Sequence, residues 1–318
     1  MVKLKATGRK KRSPSEQIVF VIAFVLFAIY AAYILFFFVF GTLIALKADM
    51  DAFTMDRINT KLFSLPKNPN WRNFVLAFGE LGMIDNKSTF LSITWNSIWR
   101  TTSYAFLSIS ASTMVCYVLV FYRTKLSKVI YNIGLFVAIL PLYGSSGSMY
   151  RLLQNIGLIN NPLIMIVDFS LFGGYFFYTY ALFKTMSWSY AEAAFIDGAG
   201  HFKVFFKIML PMAIPSLAAL FVMAFIGGWN SYESTILYMK KYPNLSYAVY
   251  AYSEVKKYDA NVPVYIAGVL VSLLPALIIF FIFQNTIMEK VHLGGLLIFP
   301  VKKLRGTPLL LFKQKQSH

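Results

Sequence analysis

The chain of 318 residues is 58% hydrophobic, 18% aromatic and only 14% charged, with a mean hydropathy of +0.61, which is more apolar surface than a soluble domain of this length buries. A soluble globular protein is thereby excluded, and the fold class expected is all-α, a polytopic membrane protein. The net charge of +17 would suggest nucleic acid in a soluble protein, but these cations sit between apolar runs, where they set topology and meet lipid headgroups, so no nucleic acid is expected as a partner.

In chain order, residues 1–16 form a basic cytoplasmic tail, with Lys3, Lys5, Arg9, Lys10, Lys11 and Arg12 ahead of an apolar run from Ile18 to Leu46. That run is about twice the length of a signal-peptide core and lacks a small-x-small exit, so it is expected to remain as a membrane span. Six stretches are long enough to cross about 30 Å of hydrocarbon: 17–46, 92–122, 129–148, 163–183, 208–229 and 264–287. Backbone groups in lipid must be satisfied within their own segment, so these stretches should be helices, with Pro141, Pro215 and Pro275 as local kinks. The single cysteine, Cys116, lies inside an apolar run and excludes an intramolecular disulfide and a thiolate metal cluster. Residues 17–295 thus read as one six-span domain, followed by a basic extension at 296–318 to which no function is assigned.

Orientation follows from the lysines and arginines between spans. With the amino terminus inside, the inner segments carry eighteen and the outer segments eleven, with Arg100 left near a membrane face. Acidic residues sharpen the contrast, four inside against eight outside. Both termini, and the segment between the fourth and fifth spans, are therefore expected in the cytoplasm.

That segment contains "AEAAFIDGAGHFKVFFKIMLP" at 191–211, where the chain turns small, then acidic, glycine-bearing and basic. Ser189 followed by Glu192 fits a capping box that would start a short helix at Tyr190, and Ala191, Ala193 and Ala194 would keep its surface low. Asp197, Gly198 and Gly200 should break that helix. A second segment, with Phe202, Phe205, Phe206 and Met209 on an apolar face opposite Lys203 and Lys207, leads into the fifth span. Small residues on a helix surface permit close docking by another body.

At these positions the chain resembles the membrane-spanning subunits of bacterial ATP-binding cassette importers, whose cytoplasmic signature stands complete as Glu192-Ala193-Ala194, Gly198, Ile208 and Leu210-Pro211. "NWRNFVLAF" at 70–78, "WNS" at 95–97, "GGWNSYESTILY" at 227–238 and "LPALIIFFIFQ" followed by Gly-Gly at 294–295 extend the likeness to the carbohydrate-type permeases, specifically the shorter of the two maltose-type subunits. The resemblance implies a multi-pass chain in the bacterial plasma membrane. It also implies as partners a homologous second permease subunit, two cytoplasmic ATP-binding cassette subunits and an extracytoplasmic solute-binding protein. The alanine-rich loop would be a coupling helix seated in a cleft of the ATPase. Glu192 would contact a basic residue there, Ala193 and Ala194 would allow close approach, and Asp197 and Gly198 would make the turn. ATP and Mg would be held by the partner, with no cofactor on this chain. The implied cargo is a saccharide, imported by alternating access.

The residues carry no catalytic pattern of their own. There is no Walker P-loop, no Gly-x-Ser-x-Gly elbow, and His201, His292 and His318 have no partner at metal spacing, so neither an enzyme nor a metal site is expected. An ion-coupled secondary transporter is the alternative, and it would use intramembrane ionisable groups, of which Asp168 is the one well inside a span. Trp229, Asn230, Tyr232 and Tyr238 cluster at the outer end of the fifth span, where rings and amides suit a sugar and equally suit an interfacial aromatic belt. Trp229, Asn230 and Tyr232, with Asp168, are the candidate substrate path. The basic, tyrosine-rich segment 231–263 resembles in position the loop that such importers present to the binding protein, and its character fits an acidic saccharide.

Overall fold

The computed structural model describes residues 14–47, 64–66, 68–83, 88–122, 124–139, 146–167, 174–255 and 261–291. Twelve helices run through them. They are α1 (Pro14–Ala45), α2 (Arg72–Gly82), α3 (Phe90–Phe121), α4 (Lys125–Ile139), α5 (Ser146–Asn155) and α6 (Ile164–Val167). Then come α7 (Gly174–Thr185), α8 (Ser189–Ile196), α9 (His201–Asn230), α10 (Glu233–Leu237), α11 (Leu245–Val255) and α12 (Val262–Val291). The all-α expectation is met, with no strand among the described residues.

Four of these helices are long and apolar enough to cross a membrane: α1, α3, α9 and the stretch Val262–Gln284 of α12. They correspond to the first, second, fifth and sixth expected spans. The third expected span falls on α4 and α5 and the fourth on α6 and α7, none of which is long enough alone. Pro141 and Asp168, like the tails at 1–13 and 292–318, lie outside the described residues.

The packed centre is α3, held between α7 on one side and α9 on the other. Its buried stripe is built of small and hydroxyl side chains, including Ser97, Thr101, Ala105, Ser108, Ser112, Thr113 and Cys116, at the three- and four-residue spacing of one helix face. Such residues let helix backbones approach closely where lipid supplies no hydrophobic drive between apolar surfaces. Two of these hydroxyls turn back onto the helix itself, Ser97 donating to the Ile93 carbonyl at 3.0 Å and Thr113 to that of Ile109 at 2.7 Å, while the buried Ser112 hydroxyl has no hydrogen-bond partner among the described residues. On α9, Gly228 takes the closest approach, since a Cβ there would lie 3.2 Å from Cγ2 of Thr101. The start of α3 is fixed by a capping box in which Thr89 and Ser92 satisfy each other's backbone N–H groups.

One end of the bundle is closed by α2, which packs on α12, α11 and α3. Its buried Asn73 donates to the carbonyls of Ala45 and Lys47, both at 2.8 Å, so a side chain of α2 satisfies the exposed C-terminus of α1. The rest of α1 leans away: most of its apolar side chains are exposed and only Ile44 and Ala45 are buried, against α12. Pro215 and Pro275 lie inside continuous helices, α9 and α12.

The turn from α2 into α3 leaves no room beyond hydrogen at Gly82, where a Cβ would sit 2.8 Å from the backbone N of Phe90. Gly82→Ala is therefore expected to destabilise the protein by about 1–3 kcal/mol, the usual cost of overpacking, read as a lower melting temperature of the detergent-purified chain.

Candidate functional site

Two features stand out, at opposite ends of α3: the loop between α7 and α9, and a polar cavity. Arg100 of the cavity and Tyr122 beside the loop are separated by about 33 Å along the helix at 1.5 Å per residue, close to the roughly 30 Å of a bilayer's hydrocarbon.

At the loop end, α8 begins at Ser189 rather than Tyr190, and the expected capping box is absent. The residue at the cap is Trp188, without a side-chain bond, and the serine that turns the chain is Ser187, whose Oγ accepts from the Ser189 N–H at 3.3 Å. Placing the cap one residue earlier puts Ser189 inside the helix, where it no longer reaches the free N–H groups. The other end of α8 is as the glycine suggested. Gly198 has φ +76°, its N–H donates to the Phe195 carbonyl at 3.0 Å, and the Ala199 N–H donates to that of Ala194 at 2.9 Å. These are the two bonds of a Schellman stop, which needs a left-handed residue.

The helical period then sorts the signature residues. Ala191 and Ala194 turn inward and are buried, while Glu192, Ala193, Ile196 and Asp197 face out, Ile196 at 86% exposure. Of the two motif alanines, Ala193 alone is open to a docking body; Ala194 serves the chain's own core. The exposed apolar side chain between two carboxylates, Ile196, carried no motif in the sequence.

Past the turn, α9 starts with His201–Val204, passes through one π turn at Phe205–Met209, and continues from Leu210 to Asn230. The Leu210 N–H reaches back to the Phe205 carbonyl, one residue further than in an α-helix. This wider turn precedes Pro211, which has no N–H to give and would crowd a regular α turn before it. The extra residue also shifts which side chains face inward. Val204, Phe205 and Met209 are buried, with Ile208 and Leu210 packed against the same core, whereas Phe202 and Phe206 are exposed, so the single apolar face expected of Phe202, Phe205, Phe206 and Met209 is split.

An aromatic group seats this assembly on the end of α3. Trp188 stacks on Phe121 at 4.9 Å between centroids, Phe195 meets His201 edge-on at 4.9 Å, and the Tyr122 hydroxyl is hydrogen-bonded to Nδ1 of His201. Both ends of α8 are thus tied to α3 as well as to α7 and α9. Neither the aromatic group nor the role of His201 was legible from spacing.

At the far end of α3, Arg100 is buried within the bundle. Its Nη1 donates to Oγ1 of Thr235 and to the Tyr242 carbonyl, both at 2.7 Å, and its Nη2 donates to Oγ of Ser234 at 3.0 Å. Thr235 passes its own proton to Oδ1 of Asn244 at 2.9 Å, and Asn244 donates to the Ser231 carbonyl at 2.8 Å. The Leu245 N–H donates to Oγ of Ser97 at 2.7 Å. The segment 231–245 is thereby pinned to α3 by charge-assisted and buried bonds.

Under this clamp lies a cavity of about 410 Å³ between α3, α6, α7, α9 and α10, with Arg100, Glu233, Tyr104, Tyr175 and Tyr238 among its lining residues. Tyr238 of the outer aromatic cluster belongs to it, whereas Trp229, Asn230 and Tyr232 of the expected substrate path do not. Trp229 is buried beside Phe225 and donates Nε1–H to the Ser272 carbonyl at 3.1 Å. Asn230 caps its own helix on the Ile226 carbonyl, and Tyr232 stacks on Tyr250 at 4.5 Å. Asp168 lies outside the described residues.

Comparison with known proteins bears on the family and on the fold. The model of the family described as binding-protein-dependent transport system inner membrane component matches residues 114–287, more than half of the chain. A diacetylchitobiose uptake system permease of Streptomyces coelicolor is 29% identical over 236 residues, covering 73% of this chain and 76% of that protein. An arabinooligosaccharides transport system permease of Halalkalibacterium halodurans is 27% identical, covering 70% of this chain and 78% of its own length. In fold, the chain is similar to a chain from the crystal structure of a bacterial ABC transporter that imports the acidic polysaccharide alginate, with a TM-score of 0.64, 20% identity, and coverage of 87% of this chain and 99% of that one.

Two stability outcomes follow from the geometry. Gly198→Val should cost about 1–2 kcal/mol by forcing a β-branched residue into the left-handed region, seen as faster hydrogen exchange at the amides of 198 and 199, while Gly198→Asn keeps most of the protection. Arg100→Ala, which strips the donor from two hydroxyls and a carbonyl, is expected to cost about 2–3 kcal/mol and to expose 231–245 to limited proteolysis.

Proposed function

Because the chain belongs to the family of binding-protein-dependent transport system inner membrane components, we propose that it is the permease half of an ATP-driven saccharide importer, working through α8 as its coupling helix. The observation that carries this reading is the outward face of α8, where Glu192, Ala193, Ile196 and Asp197 stand on a helix stopped by Gly198, packed on the start of α9 and joined through Trp188 to the end of α3. A docking body that grips this face moves α3, α7 and α9 together. Rigid-body displacement of packed helices is how such bundles switch between states.

In this reading, Glu192 makes the charged contact to a basic residue of the ATPase and Ile196 fills an apolar recess beside it. Ala193 permits the approach. Gly198, Ile208, Leu210 and Pro211 shape the turn and the re-entry into α9. ATP hydrolysis belongs to a pair of separate cytoplasmic subunits, a homologous permease completes the channel, and an extracytoplasmic binding protein delivers the solute. The loop end of α3 then faces the cytoplasm and the Arg100 end the outside. The neutral oligosaccharides named for the two sequence relatives support a neutral oligosaccharide as cargo here.

The test is uptake of diacetylchitobiose and of an arabino-oligosaccharide by cells carrying the complete importer. Uptake should require ATP and the binding protein and survive collapse of proton and sodium gradients; the reverse dependence would establish an ion-coupled carrier. Glu192→Ala should lower uptake about tenfold, the worth of a charge-assisted hydrogen bond of roughly 1.5 kcal/mol, with the chain still inserted and paired with its permease partner. Unchanged uptake by that variant would remove Glu192 from the coupling contact.

A further inference from the structure

A void left between packed apolar helices is lined by leucine, isoleucine or phenylalanine and stays dry. The cavity between α3, α7 and α9 is lined differently, by three tyrosines, Tyr104, Tyr175 and Tyr238, by the opposite charges of Arg100 and Glu233, and by hydroxyls such as that of Ser146. We propose that this chain itself holds the solute in transit, in this cavity, as one or two rings of an uncharged saccharide. The inference rests on the saccharide-importer reading and goes beyond it by locating the sugar on this subunit.

Size comes first. At about 410 Å³ the cavity lies toward the lower end of the range used by small-molecule ligands, too small for a partner helix and sufficient for a short saccharide. Chemistry comes second. A tyrosine offers a ring face to the apolar C–H side of a sugar and a hydroxyl to its rim, and three of them around one space supply both kinds of contact.

Charge comes third. The Arg100 guanidinium is held by Thr235, Ser234 and the Tyr242 carbonyl, and Glu233 supplies the opposite sign on the same wall. Among the described lining residues the two charges sum to zero, which suits a neutral sugar and gives a polyanion no advantage. Space comes last: Gly227 stands on the wall of α9, where a Cβ would lie 3.8 Å from the Tyr175 hydroxyl. A larger side chain there would occupy the volume in front of that hydroxyl.

Position agrees with chemistry. The cavity sits at the end of α3 remote from α8, where a solute released on the far side of the membrane from the ATPase would enter first. It is also roofed by the 231–245 segment, which Arg100 and Asn244 hold in place. A change in the tilt of α3 or α9 alters the cavity wall directly, because both helices contribute to it.

The experiment uses the assembled importer in a Cys116→Ala background. Ser146→Cys reports on the cavity and Asn230→Cys, exposed on α9 outside it, serves as control. Each is labelled from outside with a membrane-impermeant thiosulfonate, with and without diacetylchitobiose or the arabino-oligosaccharide, after uptake has shown which of the two is carried. The carried sugar should slow labelling at Ser146→Cys several-fold and leave Asn230→Cys unchanged. Tyr175→Phe should raise the KM for uptake several-fold with little change in kcat, and Gly227→Val should abolish uptake and protection while the ATPase subunits still co-purify.

Equal protection at both cysteines, or at Asn230→Cys alone, would overturn the site, as would normal uptake by Gly227→Val. Those results leave the importer reading intact. If no saccharide is carried at all, the uptake assay shows that before any labelling is done, and the importer reading falls together with the site.

Discussion

Everything else in the chain depends on the close approach of α3 to α7 and α9 along a stripe of alanine, serine and threonine. In lipid, apolar side chains gain little by leaving one apolar surface for another, so helices associate through tight contact and through polar groups that must not be left bare. The stripe meets the first demand with short side chains and goes some way toward the second, since the Ser97 and Thr113 hydroxyls turn back to carbonyls of the same helix. A bulky residue on this line would separate the helices that hold both functional ends of the molecule.

Those ends share one rod. At its C-terminal end α3 is gripped by Trp188, Phe195 and His201 through Phe121 and Tyr122. About 33 Å away, Arg100 of the same helix anchors 231–245 and forms part of the cavity wall. An α-helix of this length does not stretch, so a displacement at one end arrives at the other as a tilt or a shift. The π turn ahead of Pro211 places a wider turn of α9 close to its junction with α8, and from Leu210 onward the helix is α-helical, with Pro215 giving no N–H inside it.

Much of this was legible in residues and spacing. The long apolar runs gave α1, α3, α9 and α12 because a run of more than twenty apolar residues has few other uses. Gly198 was legible as a turn because only a residue without Cβ takes a left-handed stop freely. The cap was misplaced by one position, since the chain enters α8 through Trp188 with no side-chain cap and only backbone geometry shows that Ser189 already lies in the helix. Phe202 and Phe206 were put on the wrong face because a π turn is invisible to a period of 3.6. Trp229 suited a sugar by its type, yet its indole N–H is spent on Ser272 in the packed interior.

By itself, then, the sequence determined the solvent of this protein, the helical character of its spans and the turn at Gly198 that ends α8, because these rest on composition and on local spacing. Tertiary structure alone decided what meets across the bundle. Arg100 and Thr235 are 135 residues apart, and Tyr122 and His201 are 79 apart. No periodicity carries such a pairing, since it depends on how whole helices pack and not on the order of their residues. The cavity beneath Arg100 exists only because several helices close around a space, and no one segment of the chain encodes it.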